Sequence, residues 1–253
     1  GVKYGFVRVG SQEWTTWLHE AVRKAADHGL MVDIHDEYRP TGFSRTYPNL
    51  MTQEGIRGDE ESPPNEMVIN TLFTRMIAGA GDHTNCYFAD RVTEKMGSHV
   101  SQMAKAICIY SPWQFLYWYD RPAGSPGKKG GAGGAEGSIP ELADLQFYAQ
   151  LPTVWDETLV LDGYPGSHAI LARRLGESWF VGALNGKEAR QFEIALDFLN
   201  NNKAYTASIY TDDAEMGTRT NVALETSKAN SRTVITRELQ SRNGLALILH
   251  PAD

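Results

Sequence analysis

The sequence predicts two successive architectures, a parallel α/β layer over residues 1–150 and an all-β antiparallel sandwich over residues 151–253. Three observations carry this reading. A strand, an amphipathic helix and a second strand follow one another with short connections at the start. A glycine-rich stretch at 123–138 interrupts the α/β pattern. Beyond residue 155, short apolar runs recur with turn residues between them and no helical periodicity.

Taken in order, residues 4–9 read as a strand. Ser11 is a suitable N-cap for a helix whose apolar positions Trp14, Trp17, Leu18, Ala21, Val22 and Ala25 recur every three or four residues on one face, and Gly29 supplies the stop. Residues 30–35 form the next strand, and this βαβ unit requires parallel pairing. Residues 73–80 read as a further buried strand. Met96, Val100, Met103, Ala104 and Ile107 form a helical stripe that runs into an apolar end at 107–110. Residues 123–138 are too rich in glycine to bury apolar surface that offsets their ordering entropy, so they read as a mobile surface insertion. Their glycine and lysine spacing fits no P-loop. The sandwich strands read as 158–161, 168–172, 179–183, 192–196, 205–210, 232–236 and 245–249. The chain opens directly on a core strand without an initiator Met, which reads as the interior of a longer protein.

Composition narrows the function classes. At 253 residues and 42% hydrophobic, the chain can bury a substantial core, and a formal charge of -7 argues against a nucleic-acid partner held by a basic surface. No apolar run has the length of a membrane span. Cys86 and Cys108 lack metal-type spacing and read as two buried thiols, with a disulfide as the alternative.

Chemistry concentrates at residues 35–61, where an apolar strand gives way to a loop rich in Pro and Gly. Asp36, Glu37, Glu54, Asp59, Glu60 and Glu61 fall within 26 residues. A solvated acidic loop would account for such a cluster. However, Asp36 directly follows the strand, where its side chain points into the mouth of an α/β sheet or barrel. Converging carboxylates repel unless a cation neutralises them or one stays protonated, which points to a calcium site or to a general acid of raised pKa. His35 reads either as a hydrogen-bonded core histidine or as a contact to a sugar hydroxyl. Arg39, Arg45 and Arg57 read as partners of the acidic loop. Trp113, Trp118 and Tyr119 read as core packing in preference to a sugar platform, and His83 as a weak candidate for the same rim.

At these residues the chain resembles glycoside hydrolase family 97. The pieces are His35-Asp36, Arg39-Pro40-Thr41-Gly42, Arg45-Thr46-Tyr47-Pro48-Asn49, Glu54-Gly55-Ile56-Arg57-Gly58, Phe73-Thr74-Arg75-Met76 and Trp155-Asp156-Glu157-Thr158, in the family's order. The resemblance implies the latter part of a (β/α)8 barrel, incomplete at its N-terminal side, followed by the family's C-terminal β-domain. It implies calcium-assisted hydrolysis of α-glucosidic bonds in starch-like oligosaccharides, with export to the periplasm or outside the cell. Glu60 matches the general acid, Glu54 matches a calcium ligand, and Asp36 stands where inverting members carry a glutamate base that also binds calcium. The implied calcium ligands are therefore Asp36, Glu54 and Glu60, with His35 holding a sugar hydroxyl.

Retaining members carry an aspartate nucleophile at the end of the strand matching 4–9, where this chain has Gly10, and glycine where it has Asp36. The pattern therefore resembles the inverting branch, with Asp one methylene shorter than the usual Glu. Glu37 is an alternative base if the strand has already ended. A non-catalytic carbohydrate-binding protein on the same scaffold and a retaining α-galactosidase are the competing readings.

Overall fold

The computed structural model describes residues 1–36, 38–122, 137–139 and 144–252. The glycine-rich insertion, apart from the short strand at its end, and Glu37 lie outside the described residues. At the start, β1 (Val2–Tyr4), α1 (Gln12–Asp27), β2 (Val32–Ile34) and β3 (Leu50–Gln53) form a parallel three-stranded sheet in the order β1-β2-β3. The expected cap is present, with the Ser11 hydroxyl accepting from the Trp14 amide at 3.2 Å. Of the helix face read from the sequence, Leu18, Val22 and Ala25 are buried against Val32, Ile34 and Leu50, whereas Trp17 stays exposed.

Two strand expectations need correction. The first strand ends at Tyr4 instead of Val9, because Phe6 takes a φ of 57° that no strand tolerates. Residues 73–80 are not a strand. They contain the end of α2 (Asn65–Phe73) and a 3-10 turn (Arg75–Ala78). The reason is Arg75, whose guanidinium donates to the carbonyls of Gly79, Gln53, Glu54 and Ala80 at 2.9–3.0 Å. Closing the backbone around that cation satisfies more acceptors than an extended run would. The parallel ladder continues past this turn through a bridge from Gln53 to Gly81, and the Asp82 amide donates to the Gln53 carbonyl at 3.0 Å.

Next comes α3 (His99–Cys108), followed by a short parallel pair, β4 (Asp120–Pro122) with β5 (Gly137–Ile139), and then α4 (Leu145–Gln150). The antiparallel half consists of β6 (Glu157–Tyr164), β7 (His168–Leu175), β8 (Ser178–Asn185), β9 (Arg190–Ala195), β10 (Tyr205–Asp212), β11 (Val222–Ala229), β12 (Val234–Leu239) and β13 (Gly244–Pro251). Six of these strands form one sheet in the order β11-β10-β13-β8-β7-β6, and β12 pairs with β9 across the core. All seven strands expected here are present. The missed one, β11, lies at the sheet edge, and its apolar residues Val222, Ala223 and Leu224 sit together at one end without strand alternation.

Strands β8 and β13 read as unbroken apolar runs because both of their faces are covered. Trp179, Val181 and Ala183 point into the sandwich core with Phe192, Ile194 and Ile235, while Phe180, Ala246 and Ile248 meet Val100, Met103 and Ile107 of α3. The helix lies so close that a Cβ on Gly182 would sit 2.6 Å from the Ala104 carbonyl oxygen, and one on Gly244 would sit 2.5 Å from Ser101 Cα. Asp212, at the end of β10, accepts from the Ser98 hydroxyl at 2.6 Å and faces the Val100 and Gly244 amides, which ties the start of α3 to the sheet. Both cysteines are buried free thiols, and no described helix is long and apolar enough to cross a membrane.

Two expectations follow. Gly182→Ala forces a methyl group against α3 backbone and should cost about 1–3 kcal/mol in urea unfolding. Burial raises the Asp212 carboxyl to about 6 despite its three donors, above its ordinary 3.8. The stability from that extra proton is fully present below about pH 4 and is lost as pH rises through 6. The wild-type chain should therefore lose stability relative to Asp212→Asn across that window, as read by unfolding at each pH.

Candidate active site

The C-terminal ends of successive parallel strands deliver the polar groups to one place. β2 ends at His35 and Asp36, β3 ends at Glu54, and the segment bridged to β3 brings Asp82. Beyond Gly58, a 3-10 turn (Asp59–Glu61) adds Glu60. His35, Asp36, Glu54 and Glu60 all line a cleft of about 640 Å³, together with Arg39 and Arg57. The four site residues implied by the resemblance, His35, Asp36, Glu54 and Glu60, thus face one cavity.

His35 is the hub. Its Nδ1 lies 3.1 Å from Asp82 Oδ2 and 3.4 Å from Glu54 Oε2, and its Nε2 lies 2.9 Å from Glu60 Oε1. Tyr119 donates its hydroxyl to the other Glu60 oxygen at 3.0 Å. Burial would lower the imidazole, but the hydrogen bonds to Asp82 and Glu60 outweigh it and hold the ring at about 10. Burial likewise pushes Glu60 up, yet its bonds to His35 and Tyr119 keep it below the usual carboxylate range. Glu54 behaves oppositely. Its burial, with the charges of Asp82, Glu60 and Asp36 added, raises it to about 7 against the pull of His35. In the cleft as it stands, Glu54 is the carboxyl that keeps a proton near neutrality and Glu60 is ionised.

Asp36 adopts a left-handed φ of 65° and accepts the Val7 amide at 3.2 Å, so its carboxylate leans over the end of β1. With the first strand ending at Tyr4, the segment after it is Gly5-Phe6-Val7-Arg8-Val9-Gly10, and none of these residues carries a carboxylate. One ligand atom each of His35, Asp36 and Glu54 lies within 4.8 Å of the others. Calcium favours oxygen donors, and the two carboxylates fit it, while the His35 nitrogens are committed to Asp82 and Glu60. The repulsion that raises Glu54 is what a divalent cation would relieve. Glu60 lines the same cleft but is bonded to His35 and Tyr119.

Three residues went unrecognised in the sequence. Lys3 donates to Asp82 at 2.5 Å, lies 3.4 Å from Asp33, and rests on the rings of Phe115 and Trp118 at 4.0 and 4.4 Å. Asp82 itself is wholly buried, one residue before His83. Tyr119, read as core packing, sits at a φ of 66°, and such strain in a non-glycine residue is the kind of signal found at functional sites. His83 is not on the rim. It is fully buried, and burial together with the nearby Lys105 charge lowers it to about 3. Of the arginines, Arg57 lies 4.0 Å from Glu61 on the surface, while Arg91 donates to the Glu60 carbonyl at 2.7 Å.

Beneath Glu60, the buried Asp59 carboxylate pairs with Lys105 of α3 and accepts the Cys86 amide at 2.9 Å. Lys105→Met would strand that carboxylate in the core. It should lower stability by about 3–5 kcal/mol, read by denaturant unfolding, whereas the double change with Asp59→Leu should recover most of the loss.

Residues 1–56 match the family described as glycoside hydrolase 97, and residues 154–250 match the one described as glycosyl-hydrolase 97 C-terminal, oligomerisation. The chain is 31% identical over 229 residues to a Bacteroides thetaiotaomicron protein named retaining alpha-galactosidase, covering 84% of this chain and 32% of that one. It is 32% identical over 197 residues to a probable retaining alpha-galactosidase of Streptomyces bingchenggensis, covering 78% and 29%. A solved structure of a glycoside hydrolase family 97 enzyme from Pseudoalteromonas sp. strain K8 in complex with acarbose superposes with a TM-score of 0.76. Its identity is 28%, over 95% of this chain and 37% of that one. The chain spans about a third of the length of the curated relatives it matches.

Proposed function

Because the chain belongs to glycoside hydrolase family 97, we propose that its protein hydrolyses α-glycosidic bonds in starch-like oligosaccharides, with Glu60 as acid and Asp36 as base. The observation that carries the reading is the convergence of His35, Asp36, Glu54 and Glu60 on one cleft at the ends of parallel strands. In this proposal the parallel sheet is the later portion of a (β/α)8 barrel spanning residues 1–150, and residues 151–253 are the sandwich domain. The protein is exported to the periplasm or beyond, and this stretch alone turns over weakly.

The 2.9 Å contact between His35 Nε2 and Glu60 Oε1 holds one proton between the two groups. The acid is therefore the coupled pair, with Glu60 passing the proton to the departing glycosidic oxygen. Tyr119 keeps the second Glu60 oxygen in place. Asp36, held by the Val7 amide, takes a proton from the attacking water. A calcium ion carried by Asp36, Glu54 and Glu60 would, when bound, supply positive charge that offsets the crowding of these carboxylates. Inversion is favoured because residues 5–10 offer no nucleophile. The names of the two curated relatives favour a second reading, a retaining α-galactosidase.

The test offers the purified protein aryl α-glucoside and aryl α-galactoside, with calcium or with a chelator, and follows the released sugar by proton NMR. Chelator-sensitive release of β-glucose is expected, and α-galactose as the first product would establish the second reading instead. Glu60→Gln should lower kcat by about 10²–10⁴-fold on a sugar leaving group, and less on an aryl group that needs little protonation.

A further inference from the structure

Arg57 stands in the cleft without a role in the proposed reaction. It lines the same cavity as Glu60 and precedes it on the loop that joins β3 to the acid's 3-10 turn. That loop is pinned at both ends. Gly55 holds a φ of 51° and lies so near the preceding chain that a Cβ there would sit 2.5 Å from the Tyr38 carbonyl oxygen. A Cβ on Gly58 would sit 2.7 Å from the Thr84 hydroxyl, and the Asp59 amide donates to the His83 carbonyl at 3.0 Å. Between the two glycines, Ile56 packs over Gly81, and Arg57 projects outward with 51% of its side chain exposed. Its guanidinium is barely engaged. Among the described residues its carboxylate partner is Glu61, 4.0 Å away and 70% exposed, and one N–H reaches the weakly accepting Met67 sulfur at 3.9 Å. An ion pair so open to water contributes little.

We propose that Arg57 binds the sugar on the leaving-group side of the scissile bond, and so sets a preference for oligosaccharides over glycosides with a small leaving group. The inference rests on the function proposed above in taking Glu60 as the acid. An acid protonates the glycosidic oxygen, so the departing sugar lies beside the loop that carries it, while the attacking water lies on the opposite face with the base. Here Glu60 and Arg57 share one loop, whereas Asp36 and Arg39 come from the loop after β2. A guanidinium presents its N–H donors in a planar fork, from which two neighbouring sugar hydroxyls can accept side by side. The pinned backbone on either side of Arg57 lowers the ordering cost when the sugar arrives.

Steady-state kinetics should compare the wild-type protein, Arg57→Ala and Arg57→Lys on two substrates of whichever sugar the wild-type protein releases. One is the glycosyl fluoride, whose leaving group carries no hydroxyls, and the other is the α-linked disaccharide. Arg57→Ala should lower kcat/KM on the disaccharide by about 10–100-fold, as expected for hydrogen bonds to a charged group, and on the fluoride by less than about threefold. Arg57→Lys, which keeps the charge and loses the fork, should recover only part of the loss. Equal losses on both substrates, no loss on either, or cleavage of the fluoride alone by the wild-type protein would each overturn the proposal. If the wild-type protein cleaves neither substrate, the proposed hydrolysis fails, and calorimetric titration then decides the inference separately. Disaccharide bound about tenfold more tightly by the wild-type protein than by Arg57→Ala, with the methyl α-glycoside bound alike by both, upholds it. Equal affinities for the disaccharide, or no binding, refute it.

Discussion

Helix α3 must be buried along its whole length, and much of the structure follows from that constraint. All ten of its residues are shielded from solvent, although they include His99, Ser101, Gln102 and Lys105. A helix in that position needs a partner for each polar group, since an orphaned donor or charge in the core costs several kilocalories per mole. The partners come from both halves of the chain. Asp212 of the antiparallel sheet holds the helix start, and the Gln102 carbonyl receives the Asn85 amide. Lys105 reaches forward to Asp59. The glycines of β8 and β13 allow the sheet to come close enough for these contacts to coexist.

Through that helix the sandwich bears on the cleft. Asp59 immediately precedes Glu60, and Arg91 grips the same turn through its carbonyls. On the other side, Arg75 gathers the carbonyls of Gln53 and Glu54, and Lys3 supports Asp82. Lys105 and Lys3 thus pair with the buried Asp59 and Asp82 behind the cleft, and Arg75 holds the backbone that carries Glu54. This arrangement keeps several acids together without mutual repulsion unfolding the loop. It also divides their roles, because Glu60 receives two hydrogen bonds while Glu54 is buried, with its neighbours' negative charge added.

Parts of this were legible along the chain. The α1 face is periodic, and Ser11 and Gly29 punctuate it. The apolar runs of β8 and β13 announced strands of the antiparallel half, and the motif pieces from His35 to Glu60 announced the cleft. Elsewhere local pattern misled. Residues 73–80 have the composition of a strand, yet Arg75 draws them into a turn around carbonyls that lie twenty residues away in sequence. β11 is an edge strand whose apolar residues do not alternate, and the first strand stops early because Phe6 turns into left-handed space. His83 drew notice among small residues, while Asp82 beside it was the residue that reached the site.

By itself the sequence determined the order of the two architectures, the helix and strand faces with regular periods, and the residue types gathered at the cleft. These depend on neighbours within a few positions, where capping, alternation and turn chemistry act. Only the tertiary structure decided which charges meet. Lys3 with Asp82, Lys105 with Asp59 and Tyr119 with Glu60 are separated by 79, 46 and 59 positions. No periodicity encodes such pairs. They arise because burial leaves each charge no alternative to the partner that the fold brings within reach.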